Sequence, residues 1–182
     1  MPGGRFGEAY DFQGGSLDIG ETNDYALADQ SFTISLWFTR NPASADGQAR
    51  RLISAGAGSD QKAGWALWIQ KDGSGLTFRV GDGDSASDLT AKHESLMNGE
   101  WHHAVVVIER QTSRIHLFID GVLVAEKAAT LLAGRTIGSS SGLCIGRNSD
   151  DQQHHPGTVS YTHLRAHETV LDLVCRLLRE KK

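Results

Sequence analysis

The carboxylates of this chain are the residues that could cleave a glycosidic bond, and their spacing argues against that chemistry. A retaining glycosidase needs two carboxylates about 5–5.5 Å apart, and strand residues share a face only at even spacing. A Glu-x-Asp-x-x-Glu run would place its first two carboxylates on one strand face, but the sequence contains no such run. Its glutamates are instead isolated at predicted turns and strand ends, as with Glu94, Glu100, Glu109 and Glu126. We therefore predict that the chain is not an enzyme, and we assign no catalytic residue.

The paired histidines are the next residues that could do chemistry. His102 and His103 follow Trp101 in a predicted strand, so their side chains point to opposite faces and cannot chelate one ion together. We expect one imidazole in the core and the other on the surface. His154 and His155 lie in a polar stretch, where solvated loop histidines are the simplest interpretation.

An acidic cluster is formed by Asp82, Asp84 and Asp88. Runs of like charge usually face water rather than bind a ligand. The sequence therefore predicts a solvated loop at this position.

Two tryptophans are candidate ligand-binding residues, because exposed aromatic rings can stack on sugars. Trp37 alternates with polar residues on one face of a predicted strand, and Trp68 shares a strand face with Ala66 and Gln70. If these faces form one open sheet surface, both rings could contact the same sugar. The alternative is that both rings pack under loops.

The elements that must position these residues are strands, because apolar residues recur with a period of two. In Phe32–Thr39, for example, Phe32, Ile34, Leu36 and Phe38 share one face. The segment Trp101–Ile108 is apolar on both faces, as expected for a central strand covered on both sides. Asp120-Gly121 predicts a tight type I′ hairpin. The other predicted strands are Arg51–Ser54, Trp65–Ile69, Leu76–Val80, Arg114–Ile119, Val122–Ala125 and Leu143–Gly146.

Length and composition narrow the possible classes of protein. The 182 residues, with 21 glycines and three prolines, fit one all-β domain with many tight turns. The net charge of −4 and the absence of a basic stripe exclude a nucleic-acid-binding class. No run approaches the roughly 20 apolar residues of a membrane span, and the N-terminus lacks the apolar region of a signal peptide. Cys144 and Cys175 do not indicate a disulfide framework.

Several segments occur in the order of a known family: Gly4–Phe12, Ser31–Phe38, Gly99–Val106, Leu117–Ala125 and Leu143–Arg147. From Arg5 to about Gly157 they resemble the laminin G-like jelly-roll domains of the concanavalin A-like lectin and glucanase superfamily. The resemblance implies a two-sheet antiparallel β-sandwich, a secreted or cell-surface location, and binding of glycan or protein ligands.

The resemblance also implies calcium as a cofactor to consider, because relatives hold it through loop oxygens. The candidate ligands are Asp24, Asp150 and Asp151, which are hard oxygen donors in predicted loops. The acidic pair of the family's closing strand is absent from this sequence.

The last 24 residues follow a different pattern. Val159–Glu168 resembles the conceptual translation of a transposase-type sequencing adapter, and Asp172–Leu178 resembles its continuation after an eight-base index. The apolar residues of this tail are also spaced as in an amphipathic helix. We therefore predict a laminin G-like sandwich over residues 1–158, truncated at both ends, and a non-native, adapter-like tail over residues 159–182 that can form a helix.

Our leading hypothesis is a non-catalytic recognition or adhesion module from a larger secreted protein. The alternatives are a structural spacer domain and an accessory domain of a glycoside hydrolase or protease. Missing family strands would leave open sheet edges with unpaired backbone groups. We therefore also expect reduced stability and edge-to-edge self-association.

Overall fold

The computed structural model describes residues 3–5, 7–12, 15–20, 30–40, 48–56, 63–94, 96–138, 142–147 and 159–167. For residues 3–4, 7–8 and 159–167 it describes the backbone alone. Among the described residues, no helix is long and apolar enough to cross a membrane.

The described chain is built almost entirely of strands. A single 3₁₀ turn, Thr130–Leu132, is the exception within that part of the chain. The strands are β1 Gly3–Gly4, β2 Gly7–Glu8, β3 Tyr10–Asp11, β4 Leu17–Gly20, β5 Phe32–Arg40, β6 Arg50–Gly56, β7 Gly64–Ile69, β8 Gly75–Gly81, β9 Ala86–Lys92, β10 His102–Glu109, β11 Arg114–Ile119, β12 Val122–Ala128, β13 Leu143–Ile145 and β14 Val159–His167.

Two six-stranded antiparallel sheets face each other. One has the order β12-β11-β10-β5-β14-β3 and the other β4-β13-β6-β7-β8-β9, while β1 and β2 form a separate small ribbon. This arrangement confirms the predicted all-β, two-sheet antiparallel sandwich. We call the first sheet the β10 sheet and the second the β7 sheet.

The core lies between the inner faces of the two sheets. Phe38 of the β10 sheet and Leu67 and Phe78 of the β7 sheet are all fully buried in one apolar cluster. Burial of each such side chain contributes about 2 kcal/mol relative to an exposed position. The period-two pattern of the sequence therefore decides which side of every strand faces inward.

The β10–β5 pair forms the centre of its sheet. Its antiparallel register places His103 opposite Trp37 and Val106 opposite Ile34. Every residue from His102 to Ile108 is buried, which confirms the prediction that this strand is covered on both faces. Inward-facing Val106 and outward-facing Val105 are exposed by 0% and 3%.

The predicted hairpin between β11 and β12 is present. Asp120 and Gly121 have φ angles of 51° and 80°, as a turn with two left-handed central residues requires. The Asp120 carboxylate also binds back to β10, since Oδ1 accepts the His103 N–H at 2.7 Å. The hairpin is therefore fixed to the strand that carries the paired histidines.

Strand β9 corrects the interpretation of the acidic cluster. Asp88 lies in β9, where it pairs with Arg79 of β8, and the Asp82 side chain is only 4% exposed. Only Asp84, with a side chain 90% exposed, fits the solvated loop. The strand is hard to recognise because only Leu89 among its inward residues is large and apolar.

The tail departs from the helical prediction. Val159–His167 is strand β14, which lies between β5 and β3. A helix is therefore wrong for these nine residues. The physical reason is the exposed hydrogen-bonding edge of β5, since its backbone groups favour any extended neighbour.

Residues 168–182 lie outside the described part of the chain. The division at residue 158 and the adapter-like origin of the tail stay predictions.

Candidate ligand-binding face

The outward face of the β7 sheet carries two adjoining rows of polar side chains, which follow from the strand register. The first row crosses the sheet in the order Asp18, Cys144, Ser54, Ala66, Arg79 and Asp88. The second row contains Arg51, Trp68, Thr77 and Thr90. We call the region around the second row, with Arg79, Asp88 and Gln70, the Trp68 face.

Trp68 is the aromatic centre of this face. It is half-buried on β7, between the arginines of the two flanking strands. The guanidinium carbon of Arg51 lies 4.0 Å from the indole centroid, and that of Arg79 lies 5.7 Å away. Both distances are within the range of cation–π attraction. The Arg51 guanidinium thus lies directly over the indole ring, and the Arg79 guanidinium contacts the ring from a greater distance.

Arg79 is oriented by a carboxylate on the next strand. Its Nε and Nη2 donate to Oδ1 and Oδ2 of Asp88 at 2.6 Å and 2.8 Å. A two-point contact fixes the plane of a guanidinium better than a single hydrogen bond does. Asp88 thereby sets the position of Arg79 relative to Trp68.

Neutral hydrogen-bonding groups extend the face on its other side. Thr77 Oγ1 accepts from Gln70 Nε2 at 2.5 Å and lies 3.0 Å from Thr90 Oγ1. Thr77 is buried, whereas Thr90 is exposed and Gln70 is half-buried. An amide and a hydroxyl therefore accompany the indole at the surface.

The far end of the first row is closed by an ion pair. Arg147 Nη2 donates to Asp18 Oδ2 at 2.6 Å, and Ser54 Oγ donates to the Arg147 carbonyl at 2.9 Å. The Gly20 N–H, followed by Arg147, lowers the pKa of Asp18. Cys144 beside it is buried as a free thiol, and burial raises its pKa. Cys175 lies outside the described residues.

Trp37 lies on the outward face of the β10 sheet, in a different environment. Its ring stacks on His103 with centroids 4.7 Å apart and planes 11° apart, and the Arg5 guanidinium carbon lies 5.4 Å from its centroid. His103 is in turn held 2.9 Å from Ser35 Oγ. The Trp37 ring is thus engaged by the protein itself.

The two predicted ligand-binding tryptophans are not brought together. Trp37 is on β5 of one sheet and Trp68 on β7 of the other, and neither belongs to the core cluster between the sheets. They face outward on opposite sides of the sandwich, so they do not form one joint sugar platform. Sequence periodicity identified outward positions correctly but could not tell which sheet each strand would join.

The paired histidines also differ from expectation in part. They do point to opposite faces, but His102 and His103 are both buried, at 6% and 7% exposure. His102 Nδ1 lies 2.8 Å from Asp120 Oδ2, and its Nε2 lies 3.2 Å from Asn98 Oδ1. The surface position predicted for one imidazole is therefore wrong, because the stack with Trp37 covers His103.

The calcium candidates Asp24, Asp150 and Asp151 lie outside the described residues, as do His154 and His155. Within the described ranges, no group of three or more His, Cys, Asp or Glu side chains is arranged to hold a metal ion. Calcium binding therefore stays a prediction.

Arg51 and Arg79, together with Thr77 and Thr90, are members of the site that sequence reasoning missed. Both arginines occupy outward positions of predicted strands, and this is the one signal that the sequence offers. Their contact with Trp68 depends on the pairing of β6 with β7, where the register shifts between Arg51 and Ile53. Such an irregularity cannot be read from residue alternation.

Solved structures share this fold at low sequence identity. The binding domain of Paraclostridial Mosquitocidal Protein 1 superposes with a TM-score of 0.75 at 14% identity, covering 97% of this chain and 44% of that one. The Ruminococcus gnavus IT-sialidase CBM40 bound to α2,3 sialyllactose gives 0.71 at 14% identity, covering 93% and 96%. The botulinum neurotoxin serotype G binding domain gives 0.67 at 12% identity, covering 91% and 40%.

A relative and a family model match at the level of sequence. Non-toxic nonhemagglutinin type E of Clostridium botulinum is 25% identical over 114 residues, which are 63% of this chain and only 9% of that protein. The laminin G family model Laminin_G_3, described as the concanavalin A-like lectin/glucanases superfamily, matches residues 13–171. With its two antiparallel sheets and a match over most of its length, the chain belongs to this superfamily.

Proposed function

We propose that this chain is a non-catalytic glycan-binding module whose ligand lies on the Trp68 face. The observation that carries the proposal is the contact of a half-buried indole with the guanidinium groups of both Arg51 and Arg79. An aromatic surface bordered by fixed hydrogen-bond donors is the chemistry that sugar recognition needs.

Each part of the face has a separate role in this proposal. The part of the Trp68 indole that Arg51 does not cover packs against the C–H side of a sugar ring, while guanidinium N–H groups donate to ring hydroxyls or a carboxylate. Thr90 and Gln70 supply neutral donors and acceptors beside it. The Arg79–Asp88 pair keeps one guanidinium in place before the ligand arrives, which lowers the entropic cost of binding.

Three of the described carboxylates are held by arginines, which suits a binding role better than hydrolysis. Asp88 is engaged by Arg79, Asp82 by Arg135 and Asp18 by Arg147. These pairs are spread over the sheet surface and its turns. A glycosidase requires instead two carboxylates that face each other across a scissile bond.

The similar proteins agree with this proposal. The Ruminococcus gnavus CBM40 was solved with a sialyllactose bound, and two other neighbours are binding domains of larger chains. The chain spans less than half of those two neighbours and 9% of the curated relative. We therefore propose that it acts as one module of a larger secreted or surface protein.

A glycan array followed by calorimetry tests the proposal. We expect the full chain to bind a defined set of glycans, sialylated ones among them, and Trp68→Ala to weaken that binding at least tenfold, as for loss of a central aromatic anchor. Trp37→Ala is the matched control, and it should leave the affinity of the folded protein unchanged. An array without any binding would favour the structural spacer instead.

A further inference from the structure

A cleft lies at the edge of the sandwich, between the start of β9 and the end of β12. It has a volume of about 340 Å³, at the lower end of the roughly 300–1,000 Å³ of small-molecule sites. Its described lining residues are Ser85, Ala86, Ser87, Lys127, Ala128, Ala129, Thr130, Leu131 and Arg135. None of them belongs to the Trp68 face, and we call it the β9–β12 cleft.

The described lining of this cleft is rich in donors and contains no carboxylate. Lys127 and Arg135 supply two positive charges, while Ser85, Ser87 and Thr130 supply hydroxyls. The chain as a whole has a net charge of −4. Asp82 and Asp84 offset the charge of Arg135, at 2.5 Å and 3.9 Å from its Nη1, so the positive charge that favours an anion in this cleft is that of Lys127.

Lys127 spans the gap between the two sheets. Its Nζ donates to the main-chain carbonyl of Asp88 on β9 at 3.0 Å. A carbonyl is neutral, and no ion pair joins Lys127 to a carboxylate within the part of the chain that the structure describes. The ammonium is thus held at the cleft with its charge uncompensated and with further N–H donors.

Arg135 is held at the rim by a buried carboxylate. Its Nη1 donates to Asp82 Oδ2 at 2.5 Å, while the other oxygen of Asp82 accepts the Asp84 and Ser85 N–H groups at 2.9 Å and 2.7 Å. Burial works to raise the pKa of Asp82, but these hydrogen bonds outweigh it and lower the pKa. The carboxylate stays ionised at neutral pH, and the half-exposed guanidinium keeps donors for a ligand.

We propose that the β9–β12 cleft binds the carboxylate or sulfate group of a small acidic ligand such as a uronic acid or a sulfated sugar. Lys127 and Arg135 contact the anionic group, and the hydroxyls of Ser85 and Thr130 bind its neutral oxygens. This site is separate from the Trp68 face, so the inference does not depend on the function proposed for that face.

Amide chemical shifts of the isotopically labelled full chain test the inference. We expect sodium glucuronate or sodium sulfate, titrated at constant ionic strength, to cause saturable shifts confined to residues 85–87 and 127–131. Glucose, which has the ring but no charge, should cause none there. A response to glucuronate alone identifies a carboxylate ligand, a response to sulfate alone identifies a sulfate ester, and both support an anion site.

Matched variants assign the effect to the cleft. Lys127→Gln should raise the dissociation constant about fivefold or more, as expected for a lost charge-assisted hydrogen bond, and Lys127→Arg should restore most of the affinity. Lys92→Gln removes an equal charge from β9, outside the described lining of the cleft. It should change the dissociation constant by less than about twofold. Trp68→Ala should not affect these shifts. Absence of saturable shifts with both anions, or equal binding by Lys127→Gln, would overturn the inference.

Discussion

The two outward faces of the sandwich differ in what their side chains do. On the β10 sheet, Val105 and Val107 are buried at 3% and 8% exposure, and Trp37 stacks on His103. On the β7 sheet, Trp68 lies among arginine, aspartate and threonine side chains, of which Asp88 and Thr90 are exposed. The same period-two pattern has thus produced a mostly apolar outward face at the centre of the β10 sheet and a polar one around Trp68, where Ser54 and Thr77 are also buried.

This difference shows that an outward tryptophan has no single meaning. Trp37 is bordered by an imidazole that is itself fixed by Ser35, so the ring contributes to packing. Trp68 is bordered by guanidinium groups, which bind anions and hydroxyls as readily as they bind an aromatic ring. We therefore propose that the neighbours across the strands, more than the tryptophan itself, decide whether such a position stabilises the fold or binds a ligand.

Truncation of Trp37 should have the largest effect on stability. Trp37→Ala removes a half-buried ring with its His103 stack, and we expect the free energy of unfolding to fall by about 3 kcal/mol. Trp68→Ala removes an equally half-buried ring that has no aromatic stack among its described contacts, and it should cost about half as much. Urea denaturation followed by circular dichroism measures both. Equal losses would mean that the two faces do not differ in packing.

Removal of the Asp88 carboxylate should have a smaller effect, and mainly on ligand affinity. Asp88→Ala frees Arg79 from its two-point contact, so we expect glycan affinity to fall about threefold and stability to fall by less than about 1 kcal/mol. Glu126→Ala is the matched control, because Glu126 pairs with Arg114 on the β10 sheet at 3.2 Å. If both variants bind equally well in calorimetry, orientation of Arg79 is not part of recognition.

The smallest expected effect is a dependence on pH at the Asp18–Arg147 pair. Because the pKa of Asp18 is lowered in the folded state, its contribution to stability is present above about pH 4. That contribution is lost as the pH falls through the lowered pKa. Asp18→Asn should be less stable than the parent at pH 6 by about 0.5 kcal/mol or less, since the pair is partly exposed.

Urea melts at pH 6 and at pH 2.5 measure this difference for Asp18. The difference in the free energy of unfolding between parent and variant should shrink at the lower pH, as the parent carboxyl takes up a proton. A difference in the free energy of unfolding that grows at pH 2.5 would contradict a lowered pKa for Asp18.

Most of the sandwich could be predicted from alternation alone. Strands such as Phe32–Arg40 and the Asp120-Gly121 hairpin follow from local patterns, because burial of one face and positive φ in the turn leave few alternatives. Strand β9 was missed because small inward residues such as Ser87 and Ala91 give a weak signal. The sequence signal for a strand is strongest where the inward positions carry large apolar residues.

The candidate site was only half predictable for a different reason. Trp68 could be chosen by residue type, but its partner Arg51 is brought beside it by strand pairing over a register shift. The separation of Trp37 from Trp68 likewise depends on which sheet each strand joins. Strand order and register are non-local properties, and one sequence without a structure does not determine them.

The position of β14 has a consequence for engineering. This segment pairs with β5 over seven residues, from Val159 opposite Arg40 to His167 opposite Thr33, but with β3 over only two. Backbone pairing with β5 is therefore much more extensive than backbone pairing with β3. We expect a replacement of residues 159–167 by alternating valine and threonine to occupy the same position between β5 and β3. Because both residues favour strands, it should raise the melting temperature without changing Trp68 or its arginine neighbours.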